Sequence, residues 1–256
     1  MELLTWNLGA RWKNGARSFD ALEIACKHLN QLRRQQKSFL AAFQECPEDT
    51  SALVSKLPGI HIYGNVARVV ISSAPLTSQE DLDRFVAART TIDGRSLAVI
   101  SYHGVDQQSS GEPTQRGGRS SELRWLIDKY CGTDSAIIMG DFNAQAVDPE
   151  VQSRWCLGFA LHENYHKKSH GRDRGGFKVI LPSGHPGTYY WKPPDLGNVW
   201  KTLDFVVASE QLAAKTRCKV RLSLAATPLV DGLGRPSVSD HLPILGKVDF
   251  TQGAPS

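Results

Sequence analysis

Three aspartates, a glutamate, two histidines and two asparagines of this sequence share one kind of position. Asn7, Glu45, His103, Asp141 with Asn143, Asp204, and Asp240 with His241 each stand at or beside the end of an apolar run that reads as a strand. Rims of sheets are where binding and catalytic groups collect. Taken singly, most have an ordinary explanation: Asn7 a turn residue, Glu45 a solvated strand end, His103 a hydrogen-bonded histidine. Asp204 is harder to explain away, because a carboxylate between Leu203 and Phe205 is costly to bury without a partner, and its obvious partner is a histidine. Together the carboxylates and amides offer hard oxygen donors for a divalent cation, and a histidine can hold or move a proton. That combination suits cleavage of a phosphodiester, where a cation absorbs charge on the phosphate oxygens and an attacking water must lose a proton.

The elements that must position these groups are legible as patterns. Ile137-Ile138-Met139-Gly140-Asp141-Phe142-Asn143 reads as a buried strand delivering Asp141 to a rim, with Asn143 pointing the same way and Phe142 into the core. Gly140 lets another backbone approach closely. Leu3, Leu4 and Trp6 open a first strand ending near Asn7. Phe39 to Gln44 form a second that carries Glu45 and stops at Cys46-Pro47. Arg68 to Ser72 and Leu97 to Tyr102 follow, with a less regular strand from Leu82 to Ile92 between them, and Leu203 to Val207 and Pro243 to Val248 are the last. Helical spacing predicts a helix from about Arg17 to Lys37 and another from Ser120 or Ser121 that carries Leu123, Leu126, Ile127 and Tyr130 on one face. Many strands with few crossing helices predict sheets packed on one another with helices outside.

At 256 residues, 41% hydrophobic and 22% charged, the chain can bury a sizeable core, and no apolar run is long enough to cross a bilayer. We expect a single domain over residues 1–250 with a short tail at 251–256. The first residues pass straight into a strand pattern rather than an export leader, and the five cysteines are scattered singly, so the expected compartment is the cytosol. No Gly-x-Ser-x-Gly elbow, P-loop or Cys-x-x-Cys is present. His162, His166 and His170 fall at helical spacing, but Lys167, Lys168 and Gly171 among them favour a solvated loop over a metal site.

Trp6-Asn7, Phe43-Gln44-Glu45, Tyr102-His103, Gly140-Asp141-Phe142-Asn143, Leu203-Asp204-Phe205 and Ser239-Asp240-His241-Leu242-Pro243 together resemble the endonuclease/exonuclease/phosphatase superfamily of DNase-I-like, metal-dependent phosphoesterases, in that family's order and over nearly the whole chain. The resemblance implies an α/β four-layer sandwich, two mixed β-sheets packed face to face with helices outside. It implies Mg²⁺, with Mn²⁺ as a substitute, held first by Glu45, with Asp240 as a further ligand and Asn7 orienting Glu45 or the metal-bound water. His241 or Asp141 would activate the water, and Asn143 would hold that water or the phosphate. Asp204 would stand behind His241, and His103 would bind a phosphate oxygen or protonate the leaving group. Relatives carry a carboxylate shortly before the next strand that steadies the histidine equivalent to His103; here Tyr63-Gly64-Asn65-Val66-Ala67-Arg68 has none.

Membership leaves the substrate open, since the fold serves nucleases, phosphatases and phospholipid phosphodiesterases alike. Lys201-Thr202-Leu203-Asp204-Phe205 differs from the proline-x-tryptophan-cysteine-aspartate-arginine signature of inositol phosphatases. Gly140 to Ala144 and Ser239 to Ile244 look more like retroelement endonuclease domains and general DNases. The expected function is therefore a nuclease acting on nucleic acid, DNA in preference to RNA, with a phosphatase or lipid phosphodiesterase as the alternative and a non-catalytic binding module as a third, disfavoured because every catalytic position is filled. No membrane partner is expected. Between His162 and Lys178, five cations (Lys167, Lys168, Arg172, Arg174, Lys178) stand against two acids, an excess of +3 in a chain whose total is +4. Lys167, Lys168, Arg172 and Arg174 are the candidate clamp on a polyanion backbone.

Overall fold

The structure, a computed structural model, describes residues 1–9, 18–82, 84–104, 126, 129–130, 135–145, 177–191 and 199–250. Its first sheet contains β1 (Glu2–Asn7), β2 (Phe39–Gln44), β3 (His61–Asn65), β4 (Arg68–Ser72), β13 (Thr216–Val220) and β16 (Ile244–Val248), in the order β13-β16-β1-β2-β4-β3. The second contains β5 (Leu76–Leu82), β6 (Phe85–Ile92), β7 (Arg95–His103), β8 (Ser135–Asp141), β9 (Phe177–Ile180) and β12 (Asp204–Ser209), in the order β5-β6-β7-β8-β12-β9. Both sheets are mixed: β1 runs parallel to β2 and β7 parallel to β8, while their outer neighbours are antiparallel. Among the described residues, two short ribbons complete the strands, β10 (Tyr189–Trp191) with β11 (Val199–Lys201), and β14 (Ser223–Leu224) with β15 (Thr227–Pro228).

Side-chain alternation sorts every central strand into two faces. Leu3, Leu40, Ala42 and Val70 from the first sheet meet Val86, Val99, Ile137, Met139 and Val206 from the second in one apolar layer. The opposite face of the first sheet, with Leu4, Trp6, Phe43 and Val69, packs on α1 (Ser18–Arg34), whose Leu22, Ala25 and Leu29 make up its buried stripe. The outer face of the second sheet, with Ile100, Ile138 and Phe205, buries Leu126 and Tyr130. Two sheets face to face with helical residues outside are therefore the observed architecture. Among the described residues two further helices, α2 (Thr50–Lys56) and α3 (Glu210–Ala213), are short; α2 is capped by the Asp49 carboxylate accepting the Ala52 N–H at 2.9 Å. Among the described residues no helix is long and apolar enough to cross a membrane.

The strands of the sequence reading are present with small shifts. The last begins at Ile244 rather than Pro243, since proline has no N–H to give a ladder. The stretch from Leu82 to Ile92 divides between the end of β5 and β6. Lys178 lies on β9 and pairs with Glu210 at 2.9 Å, whereas Lys167, Lys168, Arg172 and Arg174, the histidines 162, 166 and 170 and the tail at 251–256 lie outside the described residues.

Candidate active site

The seam between the sheets opens at the end reached by the C-termini of β1, β2, β7 and β8. Alternation continued from the buried layer turns Asn7, Gln44, His103 and Asp141 toward that seam, because each shares parity with a residue packed in it. Asp204 opens β12, which runs antiparallel to β8 and pairs Asp204 with Asp141 in register. His103 pairs with Asp141 on the other side. Three neighbouring strands thus place His103, Asp141 and Asp204 in a row across one rim.

Glu45 reaches the same place by breaking the alternation. Phe43 faces α1 and Gln44 the seam, so a continued strand would send Glu45 back toward the helix. Its φ of 48° turns the chain into the left-handed region, and its Oε1 lies 3.7 Å from His103 Nε2 on the other sheet. Such a conformation costs a non-glycine residue about 1–2 kcal/mol and collects at functional positions. Asn143 also adopts a positive φ, 48°. It does not lie on a continued strand, as the sequence reading had it: β8 ends at Asp141, Phe142 stacks on Phe205 at 3.9 Å, and a turn brings Asn143 round so that its side chain donates to the Gly104 carbonyl at 2.9 Å. Gly140 is required by the close approach of β7, where a Cβ would stand 2.0 Å from the Tyr102 oxygen.

Asp141 is the hub of the rim. Its Oδ1 accepts the Asn143 N–H at 2.8 Å and its Oδ2 accepts the Asn7 side-chain N–H at 2.9 Å. The same Oδ2 lies 3.7 Å from His241 Nε2 and 3.9 Å from His103 Nε2. The structure thus has Asn7 holding Asp141, where the sequence reading had it orienting Glu45 or a metal-bound water. Behind His241, Asp204 Oδ2 lies 2.8 Å from Nδ1, and both residues are buried. The motif that carries His241 is sewn to β1: the Ser239 hydroxyl donates to the Asn7 carbonyl at 2.9 Å and accepts the His241 N–H at 3.1 Å, while the Trp6 indole donates to the His241 carbonyl at 2.9 Å.

The electrostatics follow from burial and charge. Burial works against protonation of His241, but the Asp204 and Asp141 carboxylates overcome it and raise its pKa well above the usual value. His103 moves the other way: burial lowers its pKa, against the pull of Asp141 and Glu45. Burial raises Asp240, opposed by His241 and assisted by the Glu45 and Asp141 charges. Asp204 is likewise raised by burial.

Sequence reasoning missed four residues that build the rim. Thr188 is fully buried, and its hydroxyl accepts the backbone N–H groups of Leu203 and Asp204 at 3.1 and 3.0 Å, which fixes the start of β12. Tyr189 sets its ring 4.8 Å from that of His241. Gln44 bridges the sheets through Ser101 at 3.0 Å. Arg68 is only 8% exposed and turns toward the seam beside Gln44, its cross-strand partner. Buried polar residues within apolar runs were the one available signal for Gln44 and Arg68; Thr188 and Tyr189 had none.

The donor set fits a hard divalent cation. Glu45 and Asp141 face one imidazole, and their charges reach Asp240, so carboxylate oxygens converge on one mouth, while the Asn7 amide is engaged by Asp141 at Nδ2 and by the Gly9 N–H at Oδ1. Among the described residues, ligand atoms of Asp141, Asp204 and His241 also lie within 4.8 Å of one another. That second grouping is better read as a hydrogen-bonded pair beside a hub, because His241 Nδ1 is already engaged by Asp204.

Comparison with known proteins agrees with this fold. Residues 4–241 match the model of the Endonuclease/Exonuclease/phosphatase family. No curated protein sequence matches. Among solved structures, sphingomyelinase C from Streptomyces griseocarneus is similar at a TM-score of 0.64 and 16% identity, covering 97% of this chain and 99% of that one. The endonuclease domain of TRAS1, a telomere-specific non-LTR retrotransposon, aligns at 0.61 and 14%, covering 98% and 99%. The 3' phosphatase NExo from Neisseria, bound to a product DNA hairpin, aligns at 0.60 and 17%, covering 98% and 100%. At these identities the likeness is one of fold.

Proposed function

We propose that this chain, which belongs to the Endonuclease/Exonuclease/phosphatase family, is a divalent-metal-dependent nuclease that hydrolyses phosphodiester bonds of nucleic acid, DNA in preference to RNA. The observation that carries the reading is the Asp141 hub, gripped by Asn7 and Asn143 and faced by two imidazoles of opposite tendency. Asp141 holds the attacking water in line and takes its proton. His241, kept cationic by Asp204, donates from Nε2 to a phosphate oxygen as charge develops there. His103, kept neutral by burial, gives the phosphate a hydrogen bond rather than a labile proton, and Asn143 orients the water. Glu45 is the first ligand for Mg²⁺ or Mn²⁺, with Asp240 and Asn7 beside it, and the cation when bound supplies neutralisation of the phosphate and of the departing oxygen. The same reading takes residues 1–250 as one catalytic domain and places it in the cytosol, in keeping with the free thiols of Cys26, Cys46 and Cys218.

Nucleic acid is favoured by what borders the rim. The β10–β11 ribbon joins the site through the Tyr190 N–H donating to the Asp240 carbonyl at 2.9 Å. It carries partly exposed Tyr189, Tyr190, Trp191 and Trp200, with the Lys201 ammonium 3.6 Å over the Trp191 ring. Flat rings with a cation among them suit stacked bases on a charged backbone. The same rings would also suit a lipid headgroup region, which keeps a phospholipid phosphodiesterase as the second reading. One panel separates the two: supercoiled plasmid, linear duplex, single-stranded DNA, RNA, inositol phosphates and sphingomyelin, each with Mg²⁺ or Mn²⁺. Plasmid nicking with intact sphingomyelin is the expected result, and sphingomyelin turnover without nicking would overturn it.

A further inference from the structure

One edge of the first sheet is crowded with cations. β13 buries Thr216, Cys218 and Val220 and leaves Arg217 and Lys219 exposed between them, with exposed Arg221 continuing the row past the strand end. Register fixes what lies beside them. Arg217 pairs with Lys247, itself level with Glu2, while Lys219 pairs with Leu245, itself level with Leu4 on the α1 side of β1. Arg217, Lys219, Arg221 and Lys247 therefore share the face of the sheet on which α1 packs. Among the described residues none of these four side chains enters an ion pair, and the acids nearest in the register are Glu2 and, just past β16, Asp249. Cations set directly opposite each other, as Arg217 and Lys247 are, weaken a strand pair. The charge also reaches α1, where burial lowers the His28 pKa first and Arg221 and Lys37 lower it further against the pull of Glu2.

We propose that this face is a second nucleic-acid contact, a track formed by Arg221, Lys219, Arg217 and Lys247 on which one strand of the substrate lies by its phosphates after leaving the catalytic rim. The inference rests on the nuclease reading of that rim. Both β1 and β13 run antiparallel to β16, so β13 ends where β1 does, and the Arg221 N–H donates to the Pro243 carbonyl at 2.9 Å, two residues after His241. The row thus starts beside the catalytic motif and leads away from it. Alternate residues of a strand stand about 6.8 Å apart, a step of the same order as that between successive phosphates of an extended nucleic-acid strand, so the three β13 cations are spaced to meet neighbouring phosphates. Such a row gives affinity without sequence preference. The competing role is protection of a sheet edge, since exposed charges discourage pairing with a second chain. That edge is already partly paired: the Ser183 N–H donates to the Cys218 carbonyl at 3.0 Å and its carbonyl accepts the Val220 N–H at 2.9 Å.

The test measures binding apart from turnover, on the full chain. A single DNA strand of about 20 nucleotides is titrated by fluorescence anisotropy in excess chelator over a range of salt, and cleavage of the same strand and of a trinucleotide is followed in Mg²⁺. Changing Arg217, Lys219, Arg221 and Lys247 together to Gln should weaken the long strand about tenfold or more and flatten the slope of log K against log salt by up to about 2.8 if all four meet phosphates. KM for the long strand should rise, and the trinucleotide should be cleaved as before, because it is too short to leave the rim. Changing the same four residues to Glu keeps a charged edge and reverses the track. A Glu variant that stays monomeric by light scattering yet loses the long strand supports the track over edge protection. Unchanged affinity for the long strand in either folded variant overturns it, leaving edge protection if the Gln variant self-associates and a membrane contact if it loses phosphatidylserine vesicles instead. If the fourfold variants do not fold, Lys219→Gln decides alone, with an expected slope change of about 0.7. If wild type cleaves no phosphoester, the nuclease reading fails, yet the strand titration still decides for or against the track.

Discussion

His241 is held from three sides, by Asp204 at Nδ1, by Trp6 at its carbonyl and by Ser239 at its N–H, and only Nε2 is left to face Asp141 and the mouth. Because Asp204 keeps the ring charged, Asp204→Asn should lower the His241 pKa, read from its ring resonances by NMR. The sign of the stability effect follows. A histidine pKa raised on folding contributes stability that is full below the ordinary value of 6.5 and disappears as pH climbs through the raised one. The penalty of Asp204→Asn in denaturant titrations should therefore shrink as pH rises past that point; a constant penalty would mean packing alone. In turnover, His241→Ala and Asp141→Asn should each remove activity with folding intact, and Asp204→Asn should lie between wild type and His241→Ala. The double variant Asp204→Asn with His241→Ala should be scarcely worse than His241→Ala, since the two act as one unit, and additive losses would separate them. Glu45→Gln should weaken metal use, so that raising Mg²⁺ recovers part of the rate.

At the scale of elements, the site depends on how closely β7 and β8 run. Gly140→Ala would drive a methyl into the Tyr102 carbonyl from a backbone at φ 151°, and should cost about 2–5 kcal/mol in denaturant titrations. A cost below about 1 kcal/mol would show that the strands can part. Strands buried on both faces were legible because their apolar runs announce themselves: β1, β2, β4, β7, β8 and β12 supply most of the rim. The edge strand β5, Leu76-Thr77-Ser78-Gln79-Glu80-Asp81-Leu82, gave no such signal, because it is largely exposed and held by pairing with β6 rather than by burial. β3, the outermost strand at one edge of the first sheet, is missed for the same reason, whereas β13 at the other edge buries alternate residues, Thr216, Cys218 and Val220, and is too short and polar between them to announce itself. The candidate site residues were legible through their strand ends. What linked them was not: the turn at Glu45 and the grip of Asn7 on Asp141 depend on a left-handed backbone and on contacts 134 residues apart.

For the whole molecule, the grip on a polyanionic substrate that we propose is a matter of charge. The net charge is +4, and Lys178 of the basic segment is already paired with Glu210. Changing Lys167, Lys168, Arg172 and Arg174 to Ala should raise KM for DNA and flatten its salt dependence, by up to about 3.5 in the slope of log K against log salt if all four meet phosphates. Cleavage of a small aryl phosphodiester should barely change, because it spans no neighbouring phosphate; equal losses on both substrates would mean that the segment shapes the catalytic site. The central claim is that carboxylates gathered at the seam act on a phosphodiester only through a divalent cation. The measurement that tests it most directly is nicking of supercoiled plasmid by wild type and by Asp141→Asn, with Mg²⁺ and with excess chelator. Nicking by wild type in Mg²⁺ alone, abolished by chelator and by Asp141→Asn, is the predicted result; undiminished nicking in chelator, or by a folded Asp141→Asn protein, would contradict it.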